Sequence, residues 1–297
     1  MKNFTKLILF FCTLFQVSSF ANNVILNKPF SENDPRYPYI DALLSSILAA
    51  TPELGKTTVT RSAISMTRSR TLLELRKGIH ITVMAEVAQP SWDENLLAIP
   101  IPIRKGILGF RIFMIHQDNK EKMQAIKTLD DLKLLTTGSG AQWVVTAPLK
   151  QAGFSVETGS HYDGLFGMLS KGRFQTFSRG IGEAYKEINL QKKNYSDLMV
   201  DENVLLRIPL VAFFYVSPKY PKLAERIKIG LLRLIKNNTF DDLFYKYHCK
   251  DILQANLAGR EVFDIPNKMI SQDQGRFLVP HEFMLNPKQN FSEVCKQ

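Results

Sequence analysis

The chain alternates between two hydrophobic periods along most of its length. Apolar residues recur at helical spacing over 39–50, 69–77 and 223–236, while short apolar or β-branched runs such as Val24–Leu26 and Thr57–Ile64 lie between such stretches. A period near 3.6 residues predicts amphipathic helices, and the short runs predict strands. Their alternation predicts an α/β fold in which helices flank the sheets.

Two segments repeat one pattern of helix, Lys-Gly and strand. Residues 71–86 read TLLELRKGIHITVMAE, and residues 164–180 read GLFGMLSKGRFQTFSRG. Glycine ends a helix readily because it adopts the left-handed conformation without strain. The repeat predicts two similar lobes, each a mainly parallel sheet flanked by helices.

Two long apolar runs are predicted to be crossover segments between the lobes. They are Leu108–Ile115 and Leu206–Val216. The first lobe would then contain residues 22–112 and 213–297, the latter ending in a polar C-terminal tail, and the second lobe would contain residues 113–212. Because ligands of such folds bind beyond the carboxyl ends of the strands, we expect a binding cleft between the lobes.

Residues 1–21 have the pattern of a secretory signal peptide. Lys2 and Lys6 precede the apolar run Leu7–Phe15, and Ser19 and Ala21 supply the small residues that a signal peptidase recognises. The apolar run is about half of the ~20 residues that a membrane-spanning helix needs. We therefore predict an exported, periplasmic protein.

Composition and charge limit the classes of molecule that the protein could bind. Hydrophobic residues make up 45% and charged residues 22%, as in ordinary globular proteins, and the net charge of +10 becomes +8 without Lys2 and Lys6. A lysine-rich solvated surface explains this charge, although it would also attract small anions or acidic envelope polymers. Export argues against nucleic acid as a partner. Cys249 and Cys295 remain after processing, and both a disulfide and two unpaired thiols are open at this point.

Five stretches, taken in their order and spacing, resemble the type 2 periplasmic solute-binding proteins. The similarity is to the family 3-like branch related to polar amino-acid receptors of ABC transporters, and it covers roughly residues 24–248. The stretches are LLELRKGIHITVMAEVA, LLAIPIPIRKGILGFRIFMI, TLDDL leading to TTGSG, MLSKGRF and IPLVAFFYVSPKYPKLAERI. The resemblance implies a receptor without a cofactor that closes on a small solute and presents it to a membrane permease or sensor. We expect a monomer.

The chain departs from this family at both charged ligand positions. The family implies an arginine in the first lobe that clamps the ligand carboxylate and an acidic residue in the second lobe that binds its amine. Here the clamp loop, Ala88–Glu94, contains no arginine, and the second-lobe strand ends in Ser178-Arg179-Gly180. Arg179 suits an anionic group. The alternative is a structural ion pair between Arg179 and Glu183, four residues further along.

Candidate ligand-binding residues come from both lobes. They are Phe30, Arg68, Arg104, Gly138, Ser139, Gly140 and Arg179. Gly138–Gly140 form either a plain tight turn or a turn before a helix whose N–H groups favour anions. Arg68 opposes the dipole at a helix start, so a bound anion or a nearby carboxylate would stabilise it. Arg104 or Arg111 would replace the missing clamp or form ion pairs at the hinge, and Phe30 would line the cleft or simply pack.

Catalytic and metal-binding motifs are absent from the sequence. It contains no Gly-x-Ser-x-Gly, no His-Glu-x-x-His and no Cys-x-x-Cys. The sequence therefore favours a binding protein for a small, polar, anionic or amino-acid-like solute over an enzyme. Two alternatives stay open: an enzyme of the same fold, similar to prephenate or arogenate dehydratases, and a ligand-poor module that binds an envelope protein.

Overall fold

The computed structural model describes residues 23–29, 37–268 and 283–296. The predicted signal peptide and the candidate ligand residue Phe30 lie outside these residues. The strands are β1 Val24–Lys28, β2 Val59–Ser65, β3 Val83–Val87, β4 Leu97–Ile99, β5 Phe110–His116, β6 Thr137–Gly140, β7 Val156–Gly159, β8 Thr176–Gly180, β9 Leu198–Val200, β10 Val204–Arg207, β11 Ala212–Val216 and β12 Glu261–Asp264. The helices are α1 Tyr37–Ala49, α2 Arg68–Lys77, α3 Pro90–Asp93, α4 Lys120–Gln124, α5 Leu129–Lys133, α6 Thr146–Gln151, α7 Tyr162–Ser170, α8 Ala184–Gln191, α9 Pro221–Lys236, α10 Thr239–Ala255 and α11 Phe291–Val294.

The strands form two lobes, which confirms the predicted α/β fold class. In the first lobe, β1 pairs with β2, and β11 lies between β3 and β4. Thr82 joins these two sheets, since its N–H donates to Ile25 O at 2.9 Å and its hydroxyl accepts from Ile25 N at 2.8 Å. The second lobe contains one seven-stranded sheet in the order β12-β10-β5-β8-β6-β7, with β9 paired to β5.

Each lobe contains antiparallel as well as parallel strand pairs, whereas the sequence predicted mainly parallel sheets. β11 runs antiparallel to β3 and β4, and β5 runs antiparallel to β8, β9 and β10. The chain reaches β5 and β11 directly after it has passed from one lobe to the other. These two strands therefore run in the direction opposite to that of their neighbours in the sheet. The predicted residue limits of the lobes stay a prediction, because strand pairing does not divide the chain at one residue.

The run Leu206–Val216 is two strands and not one extended segment. β10 belongs to the second lobe and β11 to the first, and Pro209 lies in the link between them. Near the C-terminus β12 pairs in parallel with β10, so the described chain passes between the lobes a third time. Arg260 anchors this passage: its buried guanidinium donates to Ala255 O at 2.6 Å and to Asp201 O at 2.7 Å.

Helix α9 shows how the hydrophobic pattern becomes packing. Pro221 occupies its first turn, where a missing N–H costs nothing. Leu223, Ile227 and Leu231 follow at intervals of four residues and are completely buried. At Gly230 a Cβ atom would lie 2.5 Å from Ile47 O, so glycine allows α9 to pack closely against α1.

Both predicted Lys-Gly helix stops are confirmed. Gly78 follows α2 with φ of 64° and donates its N–H to Glu74 O at 3.0 Å. Gly172 lies just after α7 with φ of 67°. These left-handed residues turn the chain from each helix into the next strand.

The structure also settles the open question of the cysteines. Cys249 in α10 and Cys295 after α11 form a disulfide with Cα atoms 5.5 Å apart. The C-terminal segment thereby attaches to the first lobe. None of the helices in the described ranges is long and apolar enough to cross a membrane.

Candidate functional site

A cleft of about 520 Å³ lies between the lobes. Among the described residues its walls contain five arginines and three acidic residues. The charged lining residues are Arg61, Arg68, Arg104, Asp41 and Glu86 around the first lobe, and Arg111, Arg179 and Glu183 in the second. Apolar side chains and Trp143 fill the spaces between them. The volume suits a small-molecule ligand.

Arg61 forms one charged cluster on the first-lobe wall. Its Nη1 donates to Asn27 O at 2.8 Å, and its Nη2 pairs with Asp41 Oδ2. The guanidinium also lies 5.2 Å from the centroid of the Tyr37 ring. The second carboxylate oxygen, Asp41 Oδ1, is buried and has no hydrogen-bond partner among the described residues. Asp41 Oδ1 is therefore a hydrogen-bond acceptor in the cleft wall that a ligand could use.

Arg68 forms a second cluster on the same wall. It is the first residue of α2, after the N-cap Thr67, and its Nη2 lies 3.1 Å from Glu86 Oε1. Glu86 also accepts from Val87 N at 2.7 Å, which fixes its carboxylate in place. Arg68 Nε is buried without a hydrogen-bond partner in the described part of the chain. Glu86 is thus the carboxylate that offsets the unfavourable helix-start position of Arg68.

Arg179 lies at the end of β8 in the second-lobe wall, with 7% of its side chain exposed. Its Nε donates to Glu187 Oε2 at 2.6 Å and its Nη2 donates to Glu187 Oε1, a bidentate pair. The guanidinium lies 4.4 Å from the centroid of the Trp143 ring. Burial lowers the pKa of Arg179, but the carboxylates of Glu183 and Glu187 outweigh burial, so this pKa is raised above its ordinary value. Arg179 is firmly cationic.

The expected Arg179–Glu183 pair is present, but it is the secondary one. Arg179 Nη2 is 3.3 Å from Glu183 Oε2, whereas Glu187 occupies the planar fork. Because Arg179 belongs to a strand and not to a helix, the four-residue spacing does not place Glu183 on the same face. Glu187, one turn into α8, does face the end of β8.

Arg111 of β5 is the second arginine of this wall and is only 6% exposed. Its Nη2 donates to Ser178 O at 2.9 Å, and its Nη1 lies 3.6 Å from Glu183 Oε2. Burial lowers the pKa of Arg111 to about 10, so the side chain is still charged at neutral pH. Arg111 is therefore a positively charged side chain at the cleft surface, and it is paired only at 3.6 Å with the Glu183 carboxylate.

Arg104 lies on the passage from β4 to β5 and lines the cleft, half-buried. Its guanidinium is 5.3 Å from the centroid of the Tyr39 ring. Tyr39 in turn donates its hydroxyl to Ile103 O at 2.6 Å, which fixes the ring. The structure thus brings three sequence candidates, Arg68, Arg104 and Arg179, to the walls of one cleft.

Gly138–Gly140 form strand β6 and not the predicted glycine turn before a helix. Ser139 is buried, with its hydroxyl 2.7 Å from Thr146 Oγ1. A Cβ at Gly138 would lie 2.3 Å from the Phe174 ring, and one at Gly140 would lie 2.3 Å from the Trp143 ring. The glycines therefore make room for aromatic rings. The cleft is lined by residues 142–145, and residues 138–140 are not among its described lining residues.

Sequence reasoning missed several residues of the site. They are Asp41, Arg61, Glu86, Trp143 and Glu187. The usable signal for Glu86 was its position at the carboxyl end of a strand, where ligands of such folds bind. In the described ranges, no group of three or more His, Cys, Asp or Glu residues is placed to hold a metal ion.

The fold is the two-lobe α/β fold of the type 2 periplasmic solute-binding proteins. The structure is similar to the probable amino-acid ABC transporter extracellular-binding protein YtmK from Bacillus subtilis, with a TM-score of 0.56 and 15% identity over 76% of this chain and 97% of that one. It is also similar to an ancestral arginine-binding protein bound to glutamine, with a TM-score of 0.52 and 16% identity over 76% of this chain and 97% of that one.

A third similar structure is an ancestral amino acid-binding protein described as a precursor of cyclohexadienyl dehydratase. Its TM-score is 0.50, with 16% identity over 76% of this chain and 95% of that one. No protein-family model matches the chain, and no curated protein matches it. Identities this low show a shared fold.

Proposed function

We propose that this chain is a periplasmic solute-binding protein that captures a small polar solute bearing at least one anionic group, by closure of its two lobes. The observation that carries the proposal is the cleft of about 520 Å³, whose described walls contain five arginines against three acidic residues. Charged groups in a concave, poorly solvated site focus the electrostatic field. An excess of cations therefore favours a solute that brings negative charge.

Unsatisfied atoms on the first-lobe wall support the proposal. Arg68 Nε is a donor and Asp41 Oδ1 is an acceptor, both buried at the cleft without partners in the described residues. Buried polar atoms are normally hydrogen-bonded, because an unmade bond is costly. A solute with both an anionic oxygen and an N–H or O–H donor would satisfy them together. An amino-acid-like or hydroxy-acid solute has this chemistry.

In this proposal Arg179 does not bind the ligand anion directly, as a clamp arginine would. Its fork is occupied and neutralised by Glu187, so its contribution is to pack against the Trp143 ring, whose centroid lies 4.4 Å from the guanidinium. Arg68 and Arg104 are the direct anion contacts in this proposal, with Arg111 beside them. Closure of the lobes would bring these arginines around the solute and present a new surface to a permease or sensor.

A thermal-shift screen of dicarboxylates, amino acids, sugar acids and phosphates on the mature chain tests the proposal. At least one compound should raise the melting temperature with saturable dependence. Titration calorimetry should then show that Arg68→Ala weakens binding of that compound by about thirtyfold, the effect of losing a charge-assisted contact in a desolvated cleft. Arg233→Ala is the matched control, because Arg233 pairs with Glu53 away from the cleft.

Two outcomes would oppose the proposal, one from incubation with prephenate or arogenate and one from the same screen. Turnover of prephenate or arogenate at enzyme-like rates would favour an enzyme of the same fold. We expect no turnover, because each described carboxylate of the cleft, Asp41, Glu86 and Glu183, contacts an arginine. No stabilising compound in any class would favour the ligand-poor interaction module.

A further inference from the structure

We propose that Glu183 is a resident carboxylate that occupies a carboxylate subsite in the cleft, and that an incoming anion binds there by displacing it. The subsite consists of the Arg111 guanidinium, the Arg179 guanidinium and the Gly180 N–H. The inference rests on the proposed function for its physiological meaning and deepens it, since it names a competitor built into the same cleft.

Three donors converge on one oxygen atom of Glu183. Glu183 Oε2 accepts from Gly180 N at 2.9 Å and lies 3.3 Å from Arg179 Nη2 and 3.6 Å from Arg111 Nη1. Two guanidinium groups and a backbone N–H are the donors that recognise carboxylates in proteins. Arg111 is itself nine-tenths buried and lines the cleft, so the subsite belongs to the binding surface.

The backbone at Gly180 is shaped for this approach. A Cβ atom there would lie 3.0 Å from Glu183 Oε2 and 3.2 Å from Arg111 Nη1. Any side chain at this position would therefore press on both the carboxylate and the arginine. Glycine leaves the three donors open to a carboxylate oxygen.

Glu183 can leave the subsite more readily than Glu187 can leave the Arg179 fork. The Glu183 side chain is 46% exposed and the Glu187 side chain is 12% exposed. Glu187 also keeps both oxygens on the Arg179 fork. When Glu183 rotates into solvent, Arg179 stays neutralised by Glu187, and Arg111 becomes the cation that the incoming anion pairs with.

Displacement has a measurable consequence for affinity. When only a minor fraction of the protein molecules is in the binding-competent form, the apparent affinity for the ligand is reduced in proportion to that fraction. If Glu183 occupies the subsite most of the time, its removal should strengthen binding of a simple carboxylate by about tenfold. A structural role alone would give no such gain.

Acetate is the probe for the test, with sodium chloride at equal ionic strength as its salt control. Acetate should raise the melting temperature of Glu183→Ala saturably by about 3 °C and change that of the unmodified protein little. Glu53→Ala removes an exposed carboxylate far from the cleft and should show no acetate effect. Calorimetry of the near-isosteric Glu183→Gln, whose neutral amide competes for the two guanidinium groups much less well than a carboxylate, should show acetate binding about tenfold tighter than in the unmodified protein.

The outcomes separate the two proposals. Equal acetate affinity in Glu183→Gln and the unmodified protein overturns the resident-carboxylate inference, even when the solute screen yields a ligand. Tighter acetate binding in Glu183→Gln together with an empty solute screen supports the subsite and overturns the proposed function alone.

Discussion

Both walls of the cleft contain arginines paired with carboxylates, but the arginines of the two walls differ in how deeply they are buried. On the first-lobe wall, Arg61 and Arg68 keep 30% and 35% of their side chains exposed beside Asp41 and Glu86. On the second-lobe wall, Arg179 is 7% exposed and is clamped by Glu187 under the Trp143 ring. An arginine that lines a cleft is therefore not by itself a ligand clamp. The first wall can offer hydrogen-bond donors to a solute, whereas most donors of the second wall already bind carboxylates of the protein.

The energetic consequence follows from burial. An exposed ion pair contributes about 0–1 kcal/mol, because water solvates each charge when the pair breaks. Removing one partner of a buried pair costs about 3–5 kcal/mol, because the other charge is left in a poorly solvated place. We therefore expect the second wall to dominate stability and the first wall to dominate affinity.

The largest expected effect is the loss of stability in Arg179→Ala. This change leaves the Glu187 carboxylate without its bidentate partner and should lower the free energy of unfolding by about 3 kcal/mol. Arg61→Ala, the first-wall counterpart, should cost about 1 kcal/mol or less. Urea unfolding of both variants measures the comparison, and similar losses in the two would mean that the walls do not differ in the way proposed.

A smaller effect is expected when the charge at position 179 is kept and the fork is lost. Arg179→Lys retains one cation but makes fewer hydrogen bonds to Glu187, so it should cost about 1.5 kcal/mol. The same denaturation measurement applies. A loss as large as that of Arg179→Ala would show that geometry alone, and not charge, stabilises this wall.

The smallest expected effect concerns salt. A double-mutant cycle on Arg61 and Asp41 should give a coupling energy of about 0.5 kcal/mol at low salt that falls toward zero in ~0.5 M sodium chloride. A cycle on Arg179 and Glu187 should keep most of its coupling energy in the same salt. Equal screening of both couplings would contradict the difference in burial.

Strongly periodic segments made much of the fold predictable. α9 and both Lys-Gly stops follow from local patterns alone, and they agree with the structure. The run Leu206–Val216 was harder, because two buried strands in different lobes have the same composition as one. TTGSG predicted a turn because glycine is disfavoured in strands, yet the rings of Phe174 and Trp143 need the space at Gly138 and Gly140.

The site was less predictable than the fold, for a physical reason. The sequence identified Arg68, Arg104 and Arg179 by charge and position, and all three line the cleft. It could not identify Glu187 as the partner of Arg179, because that contact depends on how α8 packs beside the end of β8. An ion pair between a strand and a helix depends on how the two pack in three dimensions. The residue pattern within either segment carries no information on that packing.

Capture by lobe closure can be measured by small-angle X-ray scattering of residues 22–297, with and without a saturating concentration of the strongest compound from the solute screen. We expect the radius of gyration to decrease when the solute binds, because the two lobes would close over the cleft. An unchanged radius of gyration, with saturation confirmed by calorimetry on the same sample, would contradict capture by lobe closure.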